Sequence, residues 1–99
     1  MNANLIETIK QKALEDKVPI MEDESLKYVV SFLKENNITS LLEIGTAVGY
    51  SSICFASSNP KLRIVTLEID EKRYNIAQKN ISLANLEDRI TAILTDARE

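Results

Sequence analysis

The chain has 99 residues, 44% hydrophobic and 27% charged, with a formal net charge of −3, no histidine and one cysteine. That length supports one small domain burying between ~60% and ~70% of its unfolded surface; the acidic balance argues against non-specific DNA binding, and a lone cysteine excludes an intrachain disulfide and fits a reducing compartment. No apolar run approaches the roughly 18 residues of a membrane span, and Met1-Asn2-Ala3-Asn4 lacks a signal layout, so a cytoplasmic protein without membrane or DNA partners is expected.

Leu5, Ile6, Ile9, Ala13 and Leu14 recur at helical spacing and predict an amphipathic helix from about residue 4 to 16, with Asn4 as N-cap. Pro19 biases Val18 away from helical geometry and closes that segment. Leu26, Val29, Val30 and Leu33 give the stripe of a second helix, capped by Asp23 or Ser25 and ended at Asn36-Asn37. Ser40 to Ile44 reads as a short strand whose apolar run suggests cover on both faces. A short helix follows over residues 51–58, then a Ser-Ser-Asn-Pro loop and a second strand from Arg63 to Glu68. Asp70 suits the N-cap of a helix over residues 71–84, with Tyr74, Ala77, Ile81 and Ala84 inward and Asn85 just past the end. Ile90 to Thr95 is the third strand.

Two helices followed by β-α-β-α-β place the chain in the α/β class, with parallel strands and right-handed crossovers. Residues 1–37 form a helical segment and residues 38–99 the βαβαβ unit. Both glycines, Gly45 and Gly49, fall in the turn after the first strand. Their spacing matches neither G-x-G-x-x-G nor the Walker loop. A small-residue turn between strand and helix leaves backbone N–H groups able to hold a ligand; the plainer reading is a tight turn that needs only glycine's backbone freedom. Glu43 shifts the balance, because a carboxylate at the end of a buried strand costs several kcal/mol to desolvate unless paired. Glu68 closes the next strand, and an acid there suits a ribose. Together they point to a nucleoside-containing cofactor. A solvated strand end at Glu68, a turn residue at Asp96 and simple packing at Met21 are the alternatives, and Cys54 reads as a small buried hydrophobe.

Leu-Leu-Glu-Ile-Gly-Thr-Ala-Val-Gly-Tyr-Ser (41–51) resembles motif I of the S-adenosylmethionine-dependent O-methyltransferases of the catechol and caffeoyl-CoA type. Ile-Val-Thr-Leu-Glu-Ile-Asp (64–70) resembles motif II, Leu-Thr-Asp-Ala (94–97) the following Gly-Asp-Ala segment, and Val-Pro-Ile-Met (18–21) the segment before the second helix in bacterial members. The combination is most similar to a small bacterial group that includes tRNA 5-hydroxyuridine methyltransferases. The resemblance implies a Rossmann-like methyltransferase fold and S-adenosyl-L-methionine as cofactor. It implies that Glu43 and the backbone of Gly45, Thr46, Ala47 and Gly49 face the methionine portion, with Ser51 on its carboxylate. It further implies Glu68 on both ribose hydroxyls, Asp96 and Ala97 along the adenine edge, and Met21 covering the cofactor. The acceptor would be a hydroxyl of a small molecule or of a modified tRNA uridine.

Full-length members are about twice as long, and their metal ligands, an Asp and then an Asp-Asn pair, follow the Asp-Ala segment. The resemblance therefore implies a divalent metal (Mg) in the full-length parent only, and no catalytic or metal-ligating residue within these 99. The chain is expected to be the N-terminal cofactor-binding half of one methyltransferase domain, inactive alone. In the family's strand order the first strand would then be an unpaired apolar edge, so a non-catalytic module that self-associates as a homodimer is the alternative. A nicotinamide-dependent oxidoreductase shares the acidic ribose ligand but lacks its glycine fingerprint.

Overall fold

The computed structural model describes residues 3–98. Its elements are α1 (Ala3–Glu15), α2 (Asp23–Glu35), β1 (Ser40–Ile44), α3 (Tyr50–Ser58), β2 (Arg63–Glu68), α4 (Glu71–Leu83) and β3 (Ile90–Leu94). The three strands are parallel and lie in the order β1-β2-β3. Crossovers of one hand in that order deliver both intervening helices to the same face. α3 and α4 accordingly pack on β2 and β3, and α1 and α2 pack on α3.

The sheet is therefore two-sided in character. Ile64, Thr66, Glu68, Ile90 and Ala92 point under the helices and are buried. Leu42, Ile44, Val65 and Ile93 point the other way and remain exposed, Ile44 to 68%. β1 alternates between half-buried and exposed residues, so within the described residues it is covered on one face, not on both as its apolar run suggests. Among the described residues it is also an edge, paired only to β2.

With glycine so scarce, three helices end in one motif built on other residues. Lys17, Asn37 and Asn85 take left-handed φ values of 56°, 52° and 59°. Each is followed by an amide that reaches back five residues: Val18 to Ala13, Ile38 to Leu33, and Leu86 to Ile81. These turns satisfy carbonyls that the helix leaves open. Asn37 and Asn85 suit the left-handed region because their short polar side chains tolerate it. The first helix thus ends at Glu15 in the turn made by Lys17, before Pro19 acts.

Two helix starts differ from the sequence reading. α1 already includes Ala3, so Asn4 lies inside its first turn and accepts a hydrogen bond from Thr8 Oγ1 at 2.9 Å. α2 has Glu22 at its N-cap without a side-chain cap bond. The Asp23 carboxylate instead accepts from Lys10 Nζ at 3.0 and 3.1 Å, which ties α2 to α1. Asp70 does cap α4, accepting from the Arg73 amide at 3.0 Å. Leu14, read as part of the α1 stripe, is 53% exposed.

The C-terminal end of α3 is closed by a residue that periodicity does not flag. Arg89 donates through Nη1 to the carbonyls of Asn59 and Leu62 and through Nη2 to that of Ala56, at 2.9 to 3.1 Å. A guanidinium supplies several donors in a fixed plane, and its charge complements the negative end of the helix. This ties the α3–β2 loop to the residue just before β3. Among the described residues no helix is long and apolar enough to cross a membrane.

Candidate cofactor site at the strand ends

β1 stops because Gly45 turns left-handed, with φ of 91°; Ala47 and Gly49 follow at 51° and 88°. A Cβ on Gly45 would meet nothing within 4 Å, and one on Gly49 would make ordinary contacts of 3.6 Å with Ala77 and Ile53. Backbone sign, not lack of space, therefore calls for glycine at both positions. The turn is pinned to β2: the amides of Gly45 and Thr46 both donate to the Leu67 carbonyl, at 2.7 and 3.1 Å. It is pinned to α4 through Asn80 Nδ2, which donates to the Val48 carbonyl at 2.8 Å.

This pinning revises one expectation. The amides of Gly45, Thr46, Ala47 and Gly49 all have internal acceptors. The first amide bonded at the start of α3 is that of Ile53, to the Gly49 carbonyl, so the amides of Tyr50, Ser51 and Ser52 have no intrahelical partner. Of these residues Tyr50 and Ser51 line a cleft.

The two acidic strand ends sit at the same end and on the same face of the sheet. Glu43 pairs in register with Thr66, and Glu68 lies two residues further along β2. Side chains two apart on a strand share a face. Glu43 is half-buried and receives hydroxyl donors: Ser52 Oγ at 2.5 Å and Thr66 Oγ1 at 2.7 Å on Oε1, and Ser51 Oγ on Oε2. Thr46, expected beside the methionine portion, turns its buried hydroxyl to Thr66 Oγ1 at 2.6 Å. Glu68 is 5% exposed and receives backbone donors, the Ala47 amide at 2.7 Å and the Asp70 amide at 3.0 Å. An ionised carboxylate has about four acceptor sites, so Glu68 can still accept from two more donors.

Two clefts adjoin at Ile44 and Gly45. One, of about 330 Å³, is lined by Met21, Glu43, Gly45, Thr46, Ala47 and Ser51, together with Pro19, Ile20, Ile44 and Tyr50. The other, of about 290 Å³, runs past Gly45, Glu68, Ile69, Thr95, Asp96, Ala97 and Arg98. Of the residues expected to touch a cofactor, only Gly49 lines neither cleft. Gly49 instead precedes α3 as its N-cap.

Several lining residues have no cofactor role assigned from the sequence. Ile69, 63% exposed beside Glu68, presents an apolar face to the second cleft. Arg98 pairs with Asp96, Nη2 to Oδ2 at 2.6 Å, and its guanidinium holds the Asp96 carboxyl below the usual carboxylate range. Tyr50 is buried and lines the first cleft, and burial raises its hydroxyl pKa. Cys54 is buried as well, and burial pushes its thiol up to about 11. That is the inert behaviour expected of a packed cysteine.

The family model for O-methyltransferases matches residues 1–99. The chain belongs to that family. Over 68 residues it is 38% identical to the O-methyltransferase imqG of Aspergillus flavus, a match spanning 69% of this chain and 28% of that one. Over 52 residues it is 46% identical to the catechol O-methyltransferase of Niastella koreensis, covering 52% and 24% respectively. Among solved structures, one from Staphylococcus aureus assigned as a caffeoyl-CoA O-methyltransferase superposes with a TM-score of 0.91 at 33% identity. That superposition covers 95% of this chain and 45% of the other. An O-methyltransferase from Bacillus cereus, crystallised with SAH, superposes with a TM-score of 0.83 at 32% identity, covering 96% and 44%. The fold is the Rossmann-like one of these methyltransferases, and the chain spans less than half the length of these relatives.

Proposed function

We propose that the strand-end groove binds S-adenosyl-L-methionine and that the protein serves transfer of its methyl group to a hydroxyl. The observation that carries this reading is the pair of carboxylates, Glu43 and Glu68, one in each of two adjoining clefts at the same sheet end. The family match and the SAH-bound relative support it.

The donor chemistry fits the cofactor from end to end. Glu68 keeps two acceptor sites for the two ribose hydroxyls, and its backbone partners fix the carboxylate before the ligand arrives. Ile69 offers its exposed side chain to the adenine face, with Asp96 and Ala97 along the adenine edge. The carboxylate of the methionine portion meets the α3 amides and the positive end of the helix, with Ser51 at hand. The ammonium meets Glu43. Met21, with Pro19 and Ile20, closes the first cleft from the segment before α2.

When bound, the cofactor would supply an electrophilic methyl on its sulfonium sulfur. This chain's residues would contribute position: Glu43, Ser51 and Glu68 would fix the two ends of the cofactor and so limit where its methyl can lie. Among the described residues no group of three or more His, Cys, Asp or Glu side chains could hold a metal ion, and no step is assigned to one. The proposed unit is the cofactor-binding half of a methyltransferase domain, in keeping with coverage of 45% of the Staphylococcus relative. The acceptor class is a small molecule bearing a hydroxyl, as the catechol-type relative suggests; a modified tRNA uridine is the competing acceptor. Calorimetric titration with S-adenosylhomocysteine tests the reading, which predicts saturable binding abolished by Glu68→Ala in a protein that stays folded. Equal binding by that variant would refute it.

A second reading, a module that pairs with its own copy through an exposed sheet edge, rests on β1, which among the described residues pairs only with β2 and leaves Leu42 and Ile44 61% and 68% exposed. A long apolar edge invites pairing with another chain. Sedimentation analysis decides this reading, because a strict monomer contradicts it.

A further inference from the structure

The hydroxyls around Glu43 form an oriented network, and proton count fixes its direction. Each hydroxyl has one proton to donate. Thr66 gives its proton to Glu43 Oε1, so in the 2.6 Å contact between Thr46 and Thr66 it is Thr46 that donates. Ser52 also donates to Oε1, and Ser51 to Oε2. Thr66 and Ser52 are fully buried and line neither cleft. Ser51 does line the first cleft.

Ser51 therefore faces a conflict. With its proton on Glu43 it offers an incoming carboxylate only lone pairs, which repel it. To donate to that carboxylate the hydroxyl must rotate away from Glu43. Oε2 then loses its partner and becomes an acceptor for the neighbouring ammonium. Glu43 would be free to swing unless something else held it, and Oε1 keeps both of its donors.

We infer that Thr66 and Ser52 are positioning residues for the amino-acid end of the cofactor. They anchor Glu43 through Oε1 while the Ser51 hydroxyl passes from Oε2 to the ligand carboxylate. The exchange is a rotation: no proton leaves Ser51 and no covalent bond changes. This inference rests on the cofactor reading above and names residues that the reading does not use.

Two ligands separate positioning from general support. S-adenosylhomocysteine carries the amino-acid end; 5′-methylthioadenosine shares the nucleoside and sulfur but lacks that end. Thr66→Val keeps shape and strand preference while deleting the hydroxyl, and Thr66→Ser retains it. Calorimetry on the 99-residue chain should show Thr66→Val weakening S-adenosylhomocysteine by up to about tenfold, the scale of immobilising one freed side chain on binding. Its affinity for methylthioadenosine should change by less than about twofold, and Thr66→Ser should stay near wild type for both. Equal weakening for the two ligands, or none for either, overturns the positioning role and leaves the cofactor reading intact. Should Thr66→Val fail to fold in a thermal melt, Ser52→Ala reads the same difference between ligands. A wild-type chain that binds neither ligand overturns the cofactor reading and this inference together.

Discussion

The two strand-end carboxylates are held in opposite ways. Glu68 is gripped by backbone amides of Ala47 and Asp70, while Glu43 is gripped by the side chains of Ser51, Ser52 and Thr66. A backbone grip cannot be loosened by changing the partner's side chain, and it forms as soon as the turn folds. A side-chain grip is divisible, because each hydroxyl can rotate or be deleted separately. The difference suits the proposed roles: a fixed acceptor for the rigid ribose, and an adjustable one for the flexible amino-acid end.

Replacing Glu68 should have the largest effect. Glu68→Ala leaves two amides without acceptors in a largely buried place, an expected loss of about 2–4 kcal/mol in urea unfolding. A loss below about 1 kcal/mol would mean that water serves those amides equally well and the grip is not structural. The next largest effect is expected at the turn. Gly45→Ala and Gly49→Ala each force a left-handed alanine and should each cost about 1–2 kcal/mol. The two costs should match, because neither site is crowded. A markedly greater loss at Gly49 would implicate packing against Ala77 and Ile53.

Ser51→Ala should cost about 1 kcal/mol or less in stability, because Glu43 keeps Ser52 and Thr66. A loss as large as that of Glu68→Ala would erase the contrast between the grips. The smallest effect tests α3 away from both acids. The Cys54 thiol has a folded-state value of about 11, above its ordinary value of 9.0. Its stability contribution is thus full below pH 9 and falls as pH rises through about 11. Maleimide labelling at pH 8 should track global unfolding; fast labelling of the folded chain would contradict the burial.

The order of elements was legible in the sequence because each signal was local. Hydrophobic period separated helices from strands, Asp70 marked a cap, and the two glycines marked the turn. Leu42 and Ile44 are uncovered among the described residues, and an apolar run looks the same whether a second layer covers it or not. Asn4 and Asp23 misled because capping preference does not reveal that a helix starts earlier or that Lys10 claims the carboxylate. That Glu43, Glu68 and Ser51 gather at one end of the sheet was readable from motif position. That Thr66 and Ser52 join Glu43 was not, because a threonine inside a strand or a serine inside a helix carries no ligand signature. Arg89 likewise closes α3 from a position far along the chain.

The most direct test is to titrate the isotope-labelled chain with S-adenosylhomocysteine and follow backbone amide shifts by NMR. The account predicts saturable shifts concentrated at Ala47, Tyr50 and Ser51, at Glu68 to Asp70, and at Asp96 and Ala97. No saturable shifts, or shifts confined to α1, α2 or the bare face of the sheet, would contradict it.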